Sequence, residues 1–260
     1  MPARPGDPRR GPVDGTDGAR ATRAAVLVGR HGADPARPDG PRPAGGTRAR
    51  SGCSGPGGAP PYAGRMTELG DLAIRLAALP PSLGPVRLVA VDGHAGSGKT
   101  GFADKLAAEL GGAPVVHLDD LATHEEPFGW TGRLHDQVLA PFSRGEDARY
   151  PVYDWERHRF GEPCTVPAAP VVLVEGVGAG RRAVRPVLAH LVWMELDAAS
   201  ANARGLLRDG PELASFWQSW IRAERSHFAA DPSRPHADVT VDGITGRIVG
   251  CTHGEPASPS

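Results

Sequence analysis

The chain has 260 residues, 40% of them hydrophobic and 23% charged, with a formal net charge of −1. That length holds one large domain or two small ones, and the absence of any run of about 18 apolar residues excludes an ordinary membrane-spanning helix. Three cysteines (Cys53, Cys164 and Cys251) at no metal-like spacing exclude a disulfide framework and point to a reducing, cytoplasmic compartment.

The near-neutral total hides two different segments. Residues 1–65 hold 14 Gly, 11 Pro and 11 Arg against 5 Asp, a balance of +6, whereas residues 66–260 carry 18 basic and 25 acidic side chains, or −7. The first segment lacks apolar periodicity and is expected to be disordered, because it cannot bury enough surface to offset chain entropy. Its arginines are scattered and not interleaved with aromatics, which reads as solvated linker rather than a nucleic-acid tail. Its longest apolar stretch, residues 24–28, is too short for a secretory signal. Plausible folded sequence begins near Met66, so Met66 is a candidate true start, with 1–65 upstream of it. The expected organisation is a domain over 66–245 and a flexible C-terminal tail over 246–260.

Within the domain, residues 67–79 have helical spacing and stop at Pro80-Pro81. Residues 86–91 read as a buried strand, and residues 101–110, with apolar positions at 102, 103, 106, 107 and 110, as a helix. Between them stands Gly93-His94-Ala95-Gly96-Ser97-Gly98-Lys99-Thr100, a match to G-x-x-x-x-G-K-[ST]. Glycines let the backbone curl so that several N–H groups face one anion, and the following helix N-terminus favours negative charge. Lys99 is suited to the β- and γ-phosphates of ATP, and the Thr100 hydroxyl to Mg²⁺. Only Lys99 and Lys105 are lysines among the 29 basic residues, so a composition that writes nearly every cation as Arg keeps Lys at the crowded loop position. Lys105 is expected on the exposed helix face.

Residues 114–118 read as a second strand ending on Asp119-Asp120, 122–132 as a loop, 134–142 as a helix, and 150–155 as an extended or turn segment. Val171–Val174 is a continuous apolar run, typical of a strand covered on both faces, and it ends on Glu175. Residues 191–196 are another strand, helices follow at about 198–208 and 211–229, and 237–241 is a last short strand. This alternation implies an α/β fold with a mostly parallel sheet flanked by helices on both faces. In such sheets ligands sit at the carboxyl ends of the strands, where the phosphate loop, Asp119, Asp120 and Glu175 all fall.

These residues suit phosphoryl transfer. Thr100 and Glu175 are the candidate Mg²⁺ pair. Asp119 is the candidate base for a hydroxyl acceptor, with Asp120 its near-equivalent rival. Arg204 and Arg208 lie one helical turn apart, just before a helix stop at Asp209-Gly210-Pro211, as suits a short lid over the phosphates. With two lysines only, no Asn/Thr-Lys-x-Asp guanine box exists, which places small-molecule kinases ahead of GTPase switches.

The motifs resemble the uridine kinase and phosphoribulokinase family of P-loop kinases over roughly residues 86–242. Residues 91–100 look like the family's opening, and Val116-His117-Leu118-Asp119-Asp120 like its strand ending in the catalytic Asp. Pro151-Val152-Tyr153-Asp154-Trp155-Glu156-Arg157-His158 looks like its Pro-x-Tyr-Asp-aromatic-x-x-His segment, and Glu175-Gly176 like its Glu-Gly strand end. The resemblance implies a P-loop kinase fold and transfer of the ATP γ-phosphate to a nucleoside 5′-hydroxyl. Asp119 would be the base, Arg204 and Arg208 would hold phosphates, and Tyr153 and His158 would contact the nucleobase, with Asp120 and Asp154 beside them. The partner implied is a small molecule, with no nucleic acid and no membrane. The chain departs from the pattern on the acceptor side: Ala122 stands near the family's Tyr, and the family's acid that grips the ribose hydroxyls has no clear counterpart, Glu125 and Glu126 being the nearest candidates. A pantothenate or sugar acceptor, or an ATP-binding regulatory module without turnover, are the alternatives.

Overall fold

The computed structural model describes residues 68–251. The expectations for the basic N-terminal segment, for Met66 and for Cys53 lie outside the described residues.

Helix α1 (Leu69–Ala78) buries Leu72, Ala73 and Leu76. Strand β1 (Arg87–Gly93) runs into the glycine loop and helix α2 (Lys99–Glu109). Strand β2 (Val115–His117) is followed by a 3₁₀ turn over Leu118–Asp120. Helices α3 (Thr131–Leu134) and α4 (Ala140–Ser143) are joined without a break by a π-helical turn, His135–Leu139. Strands β3 (Ala148–Asp154) and β4 (Arg159–Val166) form a hairpin. Then come β5 (Val171–Glu175), β6 (His190–Glu195), α5 (Ala198–Asp209), α6 (Ala214–Ala230), β7 (Val239–Asp242) and β8 (Ile248–Cys251).

The main sheet has the order β2-β5-β1-β6-β7-β8. All its pairings are parallel except β7 with β8. Its two faces follow from strand alternation. Leu88 and Ala90 of β1, with Val172 and Val174 of β5, face a core shared with Leu121, Trp130, Leu134 and Phe142. Val89, Val91, Val171 and Leu173 face the opposite core, against α1 and α2 through Leu72, Leu76, Phe102 and Leu106. The sheet is thus covered on both sides, as the apolar runs predicted.

Two expectations are corrected, one is sharpened, and one strand had no expectation. The helix predicted over 134–142 begins at Thr131 and carries the π turn. Pro141 lacks an N–H and its ring crowds the carbonyl four residues back, so a wider turn ahead of it keeps the helix continuous. The segment 150–155, read as extended or turn, is extended: it falls mostly within β3, paired to β4. Strand β4 carries no apolar alternation and is exposed over most of its length, which hides it from periodicity. The tail expected from residue 246 gives way to β8, antiparallel on β7, so the folded unit reaches at least Cys251. No helix among the described residues is long and apolar enough to cross a membrane.

Candidate active site

The glycine loop joins the end of β1 to α2, and Gly96 and Gly98 take φ of 86° and 94°. These left-handed values are open to Gly and costly for other residues. A Cβ on Gly96 would also collide with the Ala201 carbonyl of α5, so the loop packs directly on that helix. Lys99 is nearly buried, and its Nζ donates to the His94 carbonyl at 2.9 Å. Lys105 is exposed, as expected.

Glu175, at the end of β5 next to β1, is buried. Its Oε1 accepts the Thr100 hydroxyl at 3.1 Å and shares a 2.7 Å hydrogen bond with His117 Nδ1. Burial pulls the His117 imidazole down, but the Glu175 hydrogen bond and the charges of Glu175, Asp120 and Asp119 outweigh it and hold its pKa above the ordinary value. Asp119 is pushed up to about 6, first by burial and then by the Glu175 charge, while Lys99 pulls the other way. Its backbone is held from the hairpin: Trp155 Nε1 donates to the Asp119 carbonyl at 3.1 Å.

A cavity of about 560 Å³ brings these groups together, with Lys99, Thr100, His117, Asp119, Glu175, Arg204 and Arg208 in its wall. Arg204 Nη1 donates to the Gly243 carbonyl at 2.9 Å. Arg208 forks onto Asp209 at 2.5 and 3.0 Å, and the same buried carboxylate accepts Trp217 Nε1 at 3.1 Å. Trp155, Phe216, Trp217 and Trp220 form an aromatic wall of the cavity, with Trp155, Phe216 and Trp220 about 6 Å apart, ring centre to ring centre.

The structure does not bring the other acceptor-side residues into this cavity. Tyr153 is buried, its hydroxyl hydrogen-bonded to His124 Nδ1 at 3.0 Å. His158 sits in the hairpin turn at φ 51° and stacks on His124 at 3.7 Å. The Asp154 carboxylate caps that turn, accepting the N–H groups of Glu156 and Arg157 and pairing with the Arg157 side chain. Asp120 is buried beside His117 and Asp119 without lining the cavity. Glu125 and Glu126 are exposed and lie outside the cavity wall.

Several residues were missed from sequence. Asp92, fully buried, accepts the N–H groups of Gly93, Gly178 and Gly180 at 2.7–2.9 Å. It ties the turn after Glu175 to the mouth of the glycine loop. Its signal is an acid inside an otherwise apolar strand, which a buried site tolerates only with several donors around it. His117 carried a similar signal, standing two residues before Asp119. Glu224 of α6, buried against the glycine loop, and Trp220 had no local signal, since both reach the site through tertiary packing.

The fit for a nucleotide and Mg²⁺ rests on these observations. The loop is a cradle that a Cβ would fill, Lys99 is held over it, and a hydroxyl and a carboxylate stand 3.1 Å apart beside it. Among the described residues no group of three or more His, Cys, Asp or Glu is arranged to hold a metal.

No protein-family model matches this sequence, and no curated protein matches it significantly. Among solved structures, the chain is similar to one described as a possible uridine kinase from Bacillus stearothermophilus, at 17% identity and a TM-score of 0.49, covering 67% of this chain and 97% of that one. It is also similar to D-glycerate 3-kinase from Cryptococcus neoformans, at 14% identity and a TM-score of 0.44, covering 70% and 95% respectively.

Proposed function

We propose that the protein is an ATP- and Mg²⁺-dependent kinase that phosphorylates a hydroxyl group of a small molecule. The observation that carries this reading is the single cavity shared by the phosphate-loop residues Lys99 and Thr100, the Asp119 carboxyl and the two cations of α5. A phosphate cradle alone binds. A cradle facing a carboxylate whose pKa is about 6 has a base poised near neutrality, where proton transfer to a positioned side chain is most effective.

In the reaction, the acceptor oxygen bonds to the γ-phosphorus as the bond to the ADP oxygen breaks, and Asp119 takes the hydroxyl proton. Lys99, Arg204 and Arg208 stabilise negative charge on the phosphoryl oxygens, the main catalytic demand in such transfers. Thr100 and Glu175 would hold Mg²⁺, which neutralises phosphate charge when bound. The cavity has an aromatic wall of Trp155, Phe216, Trp217 and Trp220, which we assign to the acceptor because flat rings favour a flat partner by stacking. That supports a nucleoside 5′-hydroxyl acceptor, uridine or cytidine. A second reading, with pantothenate or a sugar as acceptor, is favoured by the engagement of Tyr153, Asp154 and His158 elsewhere in the fold.

The experiment is a panel of nucleosides, pantothenate and sugars with Mg-ATP, scored by ADP release. Stimulation by uridine or cytidine is the expected outcome. Stimulation only by sugars or pantothenate sinks the nucleoside assignment, and no stimulation by any acceptor sinks the kinase reading.

A further inference from the structure

The peptide unit between His94 and Ala95 is gripped from both sides. Its carbonyl accepts the Lys99 ammonium at 2.9 Å, and its N–H donates to Glu224 Oε1 at 3.0 Å. The same Glu224 oxygen holds His94 Nδ1 at 2.9 Å. Glu224 comes from α6, and only 2% of it is exposed. A carboxylate is costly to bury unless strong donors surround it, and the contacts seen on Glu224 Oε1 are both to the glycine loop. His94 is further wedged between Trp193 and Phe228, with ring centres 5.7 and 5.1 Å away, so the imidazole cannot swing off its partner without disturbing the core.

The consequence is directional. A free glycine-loop peptide can present either its N–H or its carbonyl to the phosphate site. Here Glu224 pulls the N–H outward, which turns the carbonyl inward, where it stations the ammonium meant for the β- and γ-phosphates. We infer that Glu224 is a positioning residue for the phosphate loop: it sets the orientation of the His94–Ala95 peptide and through it the place of Lys99. Glu224 is not among the residues that line the cavity. The inference goes beyond the proposed kinase activity and rests on that reading only in taking the loop to bind ATP.

The test is the affinity of the full chain for Mg-ATP by titration calorimetry, which needs no turnover. Glu224→Ala removes the acceptor of the Ala95 N–H and is expected to weaken Mg-ATP binding about tenfold or more, the scale of a lost hydrogen bond to a charged group. Glu224→Gln keeps an oxygen at the same reach and is expected to stay within about threefold of the parent. Glu224→Asp keeps the charge but draws it back by one methylene, and is expected to fall close to the alanine variant. That pair decides the matter even if Glu224→Ala does not fold, because a merely structural need for charge would favour Asp over Gln. Parent-like binding by Glu224→Asp, or a loss in Glu224→Gln as large as in Glu224→Asp, overturns the inference. If the parent binds Mg-ATP and phosphorylates no acceptor, the kinase reading fails while the Glu224 result stands on its own.

Discussion

Asp119 is where the energetics of folding and of function pull apart. Its pKa is about 6 in the folded chain against an ordinary value of 3.8, so the folded state binds more protons than the unfolded state between those values. Stability therefore falls as pH rises through that window, and the ionised form above it costs on the order of 2–3 kcal/mol. Replacing Asp119 by Asn removes that cost along with the base. We expect Asp119→Asn to raise the unfolding midpoint of the ligand-free protein at pH 7.5, to leave it nearly unchanged near pH 3.5, and to lower turnover by at least about a hundredfold with ATP binding retained. Unchanged turnover would transfer the role of base to another group. In the parent protein, kcat/KM reports the free enzyme's base, so it is expected to rise with pH through about 6 and then level off. The donor half of this site was legible because backbone and side chains act within one short string, residues 93–100. The acceptor half was not: the hairpin motif marks a turn whose Asp154 caps it and whose Tyr153 points into the protein, while Trp220 reaches the cavity from a helix about 65 residues further on.

At the scale of elements, α5 and α6 carry the site's cations and its aromatic wall, and one close approach sets their spacing. A Cβ on Gly205 of α5 would stand 2.1 Å from the edge of the Trp217 ring on α6. Trp217 in turn donates to Asp209, which holds Arg208. Gly205→Ala is thus expected to push Trp217 out of place, at a cost of about 1–3 kcal/mol for an overpacked contact. Because the displaced ring belongs to the aromatic wall of the cavity, which the proposed function assigns to the acceptor, the KM for the acceptor is expected to rise more than the KM for ATP, and steady-state kinetics with each substrate varied checks the split. An equal rise in both would mean that the two helices move as one body against the loop. Helix existence and order on this stretch were readable from 3.6-residue periodicity, and strands β1, β5 and β6 from their unbroken apolar runs. Strands β4 and β8 were not, for a shared reason. Each is largely exposed and carries glycine, so neither leaves an alternating apolar trace.

At the scale of the whole molecule, the two cores are joined through the same strands. Val89 and Val91 serve one face while Leu88 and Ala90 serve the other, so neither core can open without tearing the shared backbone ladder. All five tryptophans lie on one side: Trp130 and Trp193 in the core against the hairpin, Trp217 and Trp220 under the cavity, and Trp155 packed between the two. None lies in the core that α1 and α2 close. Tryptophan emission therefore reports one half of the molecule, and far-ultraviolet circular dichroism reports both. Leu106→Ala, in the tryptophan-free core, and Leu134→Ala, in the other, each empty a fully buried site and are expected to cost about 2–5 kcal/mol. If the sheet couples the two faces, Leu106→Ala shifts the emission transition and the dichroism transition by the same amount in urea, although no tryptophan shares its core. Two separated transitions, with emission unmoved by Leu106→Ala, would mean that the α1–α2 side unfolds on its own. The phosphate loop would then be the less stable part, because α2 begins at Lys99 and could not hold the loop once its own core had opened.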